Sequence, residues 1–241
     1  MKQRDAVIQV MEENGGFATL SHLYQHALNV KGSKWGTKTP YNSIRRIVQE
    51  EKYFFKIEPG LWALNSYKDR LPFSSKIQEN APKKEREEFS HSYYQGLLVE
   101  IGNLENFDTF VPAQDKNRPY LSKKLGEVTT LKQIFSFGYP KAVNVASTID
   151  VAWFNKREMP EKLIEVEHTT GFQNSLLKFV ELQDFYVDFW IAAPEKRKAE
   201  YESKIDRAAF SDVKRRVKFV GYEKISQLHR NLTQRKFEIG I

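Results

Sequence analysis

Two β-like stretches place three carboxylates where a strand can least hide them. STIDVAWF (147–154) and KLIEVEHTTGF (162–172) are rich in β-branched and apolar residues, and the turn-forming run from Asn155 to Pro160 separates them. Side chains alternate across a strand, so Glu165 and Glu167 share one face while Ile164 and Val166 share the other. Asp150 is an acid inside an otherwise apolar strand. If the two strands pair, three acids crowd one spot. Like charges so close are unfavourable unless a proton or a cation sits between them. A hard divalent cation with oxygen ligands, Mg²⁺ above all and Mn²⁺ as a substitute, is the natural occupant.

Other chemistries are excluded or left without support. The 241 residues contain no cysteine, which removes disulfides, thiolate zinc sites and cysteine nucleophiles. There is no GxxxxGK[ST] phosphate loop and no glycine-rich dinucleotide fingerprint, and the five histidines lack metal-ligand spacing. The first residues, MKQRDAVIQVMEEN, have no apolar leader, and no apolar run approaches the ~20 residues of a membrane span, so a cytoplasmic protein is expected. A net charge of +7 suits a polyanionic partner, although solubility alone would also account for it.

Residues 1–66 read as one unit. Lys2 to Asn14 is an amphipathic helix stopped by Gly15 and Gly16. Ser21 to Asn29 reads as a second helix. Thr39 then caps a third, with Pro40 at its first position, running through YNSIRRIVQEE with Ile44, Ile47 and Val48 inward. KYFFKIEPGLWAL is a hairpin around Pro59 and Gly60. Residues 67–89, with two prolines and a charge run, read as a linker.

The remainder, 90–241, reads as a second domain. It opens with the helix HSYYQGLLVEIGNL and the short strand DTFVP, followed by an irregular polar segment from Ala113 to Leu125. The acid-bearing strands come next. A helix is expected from Phe172 to Val187 with Phe172, Leu176, Phe179, Val180 and Tyr186 inward, then a buried strand FWIAA, a helix after Pro194, and a last strand and short helix in VKFVGYEKISQLHR.

Two strands carrying D…ExE, a helix before them, a helix after them and a further strand resemble the PD-(D/E)XK nuclease superfamily, which includes most type II restriction endonucleases. Asp150 matches the motif's Asp, Glu165 its (D/E), and Glu167 stands where Lys is usual, as in some members. The three-helix-and-hairpin N-terminus, with its GGFATL turn, TPYNSIRRIVQ and PGLWAL, resembles the HARE-type winged helix. The implied fold class is therefore a mixed α/β (α+β, mixed sheet) restriction-endonuclease-like core plus an N-terminal winged helix-turn-helix domain.

The resemblance also assigns roles. Asp150 and Glu165 would hold Mg²⁺ with the backbone carbonyl of Val166, and Glu167 would bind or orient the attacking water as base or further ligand. Glu100 stands where some relatives place an extra acidic ligand, and Lys178 could replace the missing lysine from the following helix; a solvated helix residue and a phosphate contact or surface charge are the simpler readings of the two. Gln183, on the inward stripe of its helix, is expected near the site or packed against a loop. His168 is expected to be a satisfied structural histidine on the opposite face. Lys38, Tyr41, Asn42, Arg45, Arg46 and Gln49 would contact duplex DNA through the third helix.

The function expected is a Mg²⁺-dependent endonuclease on double-stranded DNA: a type II restriction enzyme, site-specific or modification-dependent, acting as a homodimer. A non-cleaving DNA-binding regulator with a degenerate nuclease fold, and a repair- or RNA-directed nuclease, stay open as alternatives.

Overall fold

The computed structural model describes residues 1–78 and 81–239. Residues 79 and 80 of the expected linker, and 240 and 241 at the end of the expected second domain, lie outside the described residues. The chain divides into two compact units: residues 1–86 together with 226–241, and residues 87–225.

In the first unit α1 (Gln3–Glu13) buries Ala6, Val7, Val10 and Met11. The chain then turns at Gly15 and Gly16, with φ of 80° and 90°. Gly16 has to be glycine for a second reason, because a Cβ there would collide with the Tyr67 ring. The following Phe17–Thr19, expected as part of a turn, is a strand, β1, paired antiparallel to a later one. α2 (Leu20–His26) is capped by the Thr19 hydroxyl, which accepts from the His22 N–H at 3.1 Å. α3 (Pro40–Ile47) starts on its proline as expected but stops before Gln49, and Thr39 makes no side-chain cap. β2 (Phe54–Glu58) and β3 (Leu61–Leu64) form the expected hairpin, turning at Gly60 with φ 81°. The sheet order is β1-β3-β2. Leu23, Ile44, Val48 and Phe54 close the core against α1. A short α4 (Ser74–Ile77) follows inside the stretch expected as linker.

α5 (Lys83–Leu104) begins earlier than the sequence pattern indicates. β4 (Asp108–Phe110) follows, then the two-residue strands β5 (Pro119–Tyr120) and β6 (Lys123–Lys124), then α6 (Leu125–Val128). α7 (Pro140–Ala146) is a helix that the sequence pattern does not announce. β7 (Val151–Phe154) and β8 (Pro160–Val166) are antiparallel neighbours, with Val151 opposite Ile164. α8 (Phe172–Glu181) leads to β9 (Asp188–Ala193), and α9 (Lys198–Ile205) to β10 (Val217–Gly221). The five-stranded sheet runs β10-β9-β8-β7-β4, parallel across β8, β9 and β10 and antiparallel across β8, β7 and β4. Each parallel step needs a crossover, which α8 and α9 supply.

One face of this sheet packs on α8 and α9 through Ala152, Phe154, Leu163, Phe189 and Ile191 against Phe172, Leu176, Phe179, Tyr201 and Ile205. Each such large buried side chain contributes about 1.5–3 kcal/mol of burial. On β7, Trp153 faces the other way and donates its indole N–H to the Leu98 carbonyl of α5 at 3.1 Å. α8 ends at Glu181, six residues short of the expected Val187, so Tyr186 is fully exposed rather than inward. The reason is Arg216, which holds the carbonyls of Gln183, Phe185 and Val187 in a non-helical turn. The last helix, α10 (Tyr222–Ile239), is long rather than short, and its residues from 226 onward belong to the first unit, where Ser21 Oγ lies 2.9 Å from His229 Nδ1. Among the described residues no helix is long and apolar enough to cross a membrane.

Candidate active site

Asp150 does not sit inside a strand. It is the residue just before β7, and that position puts its carboxylate at the sheet's end instead of within the core. Because Val151 pairs with Ile164, Asp150 comes level with Glu165. Its Oδ2 accepts from the N–H of Val166 at 2.8 Å, so the first acid bonds to the backbone between the other two. Glu165 in β8 and Glu167 just past its end both meet Ser175 of α8, on the side that Leu163 buries under that helix. Both are nearly inaccessible, at 4% and 5% exposure.

α8 supplies what meets them. Lys178 Nζ donates to Glu165 Oε1 at 2.7 Å and to the Thr148 carbonyl at 2.9 Å. Ser175 Oγ donates its one hydrogen to Glu167 Oε1 and lies 3.3 Å from Glu165 Oε2, while Thr170 Oγ1 donates to Glu167 Oε2. Arg197 fastens the strand's exit, donating to the carbonyls of Glu167 and Thr170 at 2.8 Å each. Burial first, and then the charge of Asp150, hold the Glu165 carboxyl well above its ordinary range, against the pull of Lys178. Burial likewise raises Glu167, while the Ser175 and Thr170 hydroxyls oppose it. Lys178 bonds Glu165, whereas Arg197 is the cation whose charge acts on Glu167 and His91 stands beside Asp150.

Whether a divalent cation fits depends on these donors. Among the described residues no three His, Asp or Glu side chains converge closely enough to hold a metal by themselves. The chemistry nonetheless fits Mg²⁺, which is ordinarily bound through one or two carboxylates plus water and substrate phosphate rather than in an all-protein cage. All the acidic donors are hard oxygens.

The other expected residues are distributed unevenly. Glu100 is half-buried on α5 beside the Tyr120 phenol, whose pKa burial, and then the Glu100 charge, hold well above normal. Gln183 lies beyond the end of α8, half-buried, with its carbonyl on Arg216. His168 is not the satisfied histidine expected: its ring stacks on Tyr222 at 5.9 Å, its Nδ1 is buried without a hydrogen-bond partner among the described residues, and burial lowers its pKa. In the first unit Asn42, Arg45, Arg46, Gln49 and Lys38 are exposed. Tyr41 is half-buried against Tyr24, with ring centroids 4.8 Å apart.

Residues that the sequence pattern does not single out complete the site. His91 Nε2 stands 3.3 Å from Asp150 Oδ2. Gln95 donates to the Asp150 carbonyl at 2.7 Å and to Asp115 Oδ2 at 3.0 Å, and Arg118 reaches both Asp115 and His91. Two signals point to such residues: His91 and Gln95 are polar residues four apart at the start of the apolar part of α5, and Ser175 interrupts the inward stripe of α8.

Residues 71–241 match the family described as Type II restriction enzyme NmeDI C-terminal domain, and this stretch holds every acid of the site. The chain belongs to that family. It is 24% identical over 156 residues to the type II restriction enzyme NmeDI of Neisseria meningitidis serogroup C. The alignment covers 61% of this chain and 44% of the relative, so the chain spans less than half the length of the NmeDI enzyme it matches. No solved structure matches. The NmeDI-type domain is thus restriction-enzyme-like, and its mixed sheet carries the three acids at the β7–β8 end.

Proposed function

We propose that this chain is a Mg²⁺-dependent endonuclease that hydrolyses phosphodiester bonds in double-stranded DNA, built as a PD-(D/E)XK core with an N-terminal winged helix that contacts DNA. The observation that carries it is the bond from the Val166 N–H to Asp150 Oδ2, because it brings the acid of one strand against the ExE of the next. The match to a type II restriction enzyme family supports the same reading.

Asp150, Glu165 and the Val166 carbonyl would hold the ion. A strand residue's N–H and C=O leave on the same edge, so that carbonyl shares the edge on which Asp150 lies. Bound there, Mg²⁺ would supply neutralisation of the charge that grows on the scissile phosphate. Lys178, at 29% side-chain exposure, can turn its remaining N–H toward a phosphate oxygen or the attacking water, taking the place of the motif's lysine. Glu167 keeps lone pairs beyond those bound by Ser175 and Thr170. Burial raises its pKa, which makes the carboxylate a stronger proton acceptor than an exposed glutamate. The order α1-β1-α2-α3-β2-β3, with β1 completing the hairpin sheet, supports the winged-helix reading, and α3 presents Asn42, Arg45 and Arg46 outward.

The test is direct. Plasmid incubated with the full chain and Mg²⁺ should give discrete fragments that disappear with EDTA and with Asp150→Asn. Intact plasmid under every divalent ion tried, alongside firm DNA binding, would replace the reading with a non-cutting binder.

A further inference from the structure

We infer that His91 is a positioning residue for Asp150, fixed as a single tautomer by Arg118 within a closed ring of hydrogen bonds and ion-pair contacts; this rests on the reading of Asp150 as a cation ligand. The ring runs from the Asp150 carboxylate to His91 at 3.3 Å, from His91 Nδ1 to Arg118 at 3.3 Å, from Arg118 Nε to Asp115 Oδ1 at 2.8 Å, from Asp115 Oδ2 to Gln95 Nε2 at 3.0 Å, and from Gln95 Nε2 back to the Asp150 carbonyl at 2.7 Å. It therefore grips both the side chain and the backbone of one residue.

Each link has one chemical solution. A guanidinium only donates and keeps its charge, so His91 Nδ1 must accept from Arg118. The ring hydrogen then sits on Nε2, the nitrogen that lies 3.3 Å from Asp150 Oδ2. Gln95 is fully buried between two acceptors, so its NH₂ must face them. Its Oε1 is left buried without a partner among the described residues, and the reversed amide would set oxygen against a carboxylate and a carbonyl. Asp115, almost fully buried, is neutralised by Arg118. The segment bearing Asp115 and Arg118 is seated on α5 at Gly96, where the Tyr120 ring lies so close that a Cβ would collide with it.

The Val166 N–H and His91 Nε2 both use Oδ2. They fix the carboxylate's rotation and leave Oδ1 for the cation. Outer partners of this kind alter metal affinity by about 10–100-fold when removed.

Two measurements on the full chain test this. Long-range ¹H–¹⁵N spectra of histidine-labelled protein, with His91 assigned by its loss in His91→Gln, should show Nδ1 unprotonated and Nε2 protonated. Arg118→Met should give a tautomer mixture. Mn²⁺ titration without DNA, read by electron paramagnetic resonance, should weaken about 10–100-fold in His91→Ala. It should recover to within a few-fold of the parent in His91→Gln, which keeps a donor at the same reach, with unchanged metal-free melting. An Nδ1–H tautomer in the parent, or parent-like Mn²⁺ affinity in His91→Ala, overturns the inference. If the parent and Asp150→Asn both ignore Mn²⁺, the cation reading itself fails and the inference falls with it, even where the tautomer is as described.

Discussion

Lys178 Nζ lies 2.7 Å from Glu165 Oε1, yet the Glu165 carboxyl is still pushed well above its ordinary range. One ammonium does not offset burial together with the neighbouring Asp150 charge. A site that carries such excess repulsion is built for a ligand at the expense of stability. Glu165→Gln should therefore raise the metal-free melting temperature, by about 1–2 kcal/mol or a few degrees. The same change should cut DNA cleavage on the order of 10³-fold. Calorimetry in EDTA beside a plasmid assay reads both; a destabilised Glu165→Gln would mean that the Lys178 pair outweighs the repulsion.

Stability should depend on pH with a definite sign. An unfolded glutamate ionises near its ordinary 4.5, whereas folded Glu165 and Glu167 ionise higher. Between those values the folded state holds more protons than the unfolded one. Their contribution is thus full below the ordinary value and is lost as pH rises through the folded values. The loss is about 1.4 kcal/mol for every tenfold difference between the folded and unfolded ionisation constants. In EDTA, the melting temperature of the parent relative to Glu165→Gln should fall from about pH 5 to about pH 8. A difference that grows in the parent's favour over this range would contradict the burial argument.

A cation should reverse that loss. A ligand that binds only the folded state at 100 times its Kd stabilises by about 2.7 kcal/mol. Mg²⁺ should accordingly raise the parent's melting temperature at neutral pH. Asp150→Asn keeps an acceptor for Val166 and His91 but loses the charge, so it should show little gain. Equal gains in both proteins would place the ion elsewhere.

The acids are legible in the sequence because alternation on a short β-branched run fixes a face, and a charged residue on such a face needs a reason. The hairpin of the first unit follows from the same kind of local pattern. What surrounds the acids is harder to see. His91 comes to Asp150 through the packing of α5 on the sheet, and Asp115 and Arg118 come from an irregular stretch with no period to read. The end of α8 is hidden because Leu182 and Val187 continue its apolar pattern, while the determinant that stops the helix, Arg216, lies far along the chain. β1 reads as a turn because three residues between glycines and a helix carry little strand signal, and their partner β3 is remote in sequence.

Arg45 and Arg46 lie outward on α3, while Ile44 and Ile47 hold that helix in the core. Replacing either arginine by alanine should leave the fold intact, since neither is buried. The two changes separate backbone contacts from base contacts. A lost phosphate contact weakens binding to all duplexes alike and lowers the salt slope by about one, whereas a lost base contact costs about 1–3 kcal/mol on the preferred sequence alone. Fluorescence anisotropy with the cleavage-deficient Glu165→Gln chain, across a salt series and on both random and cut-site duplexes, distinguishes these. Affinities identical to the parent on both duplexes for both variants would remove α3 from the DNA interface, and DNA contact would then have to come from the unit of residues 87–225.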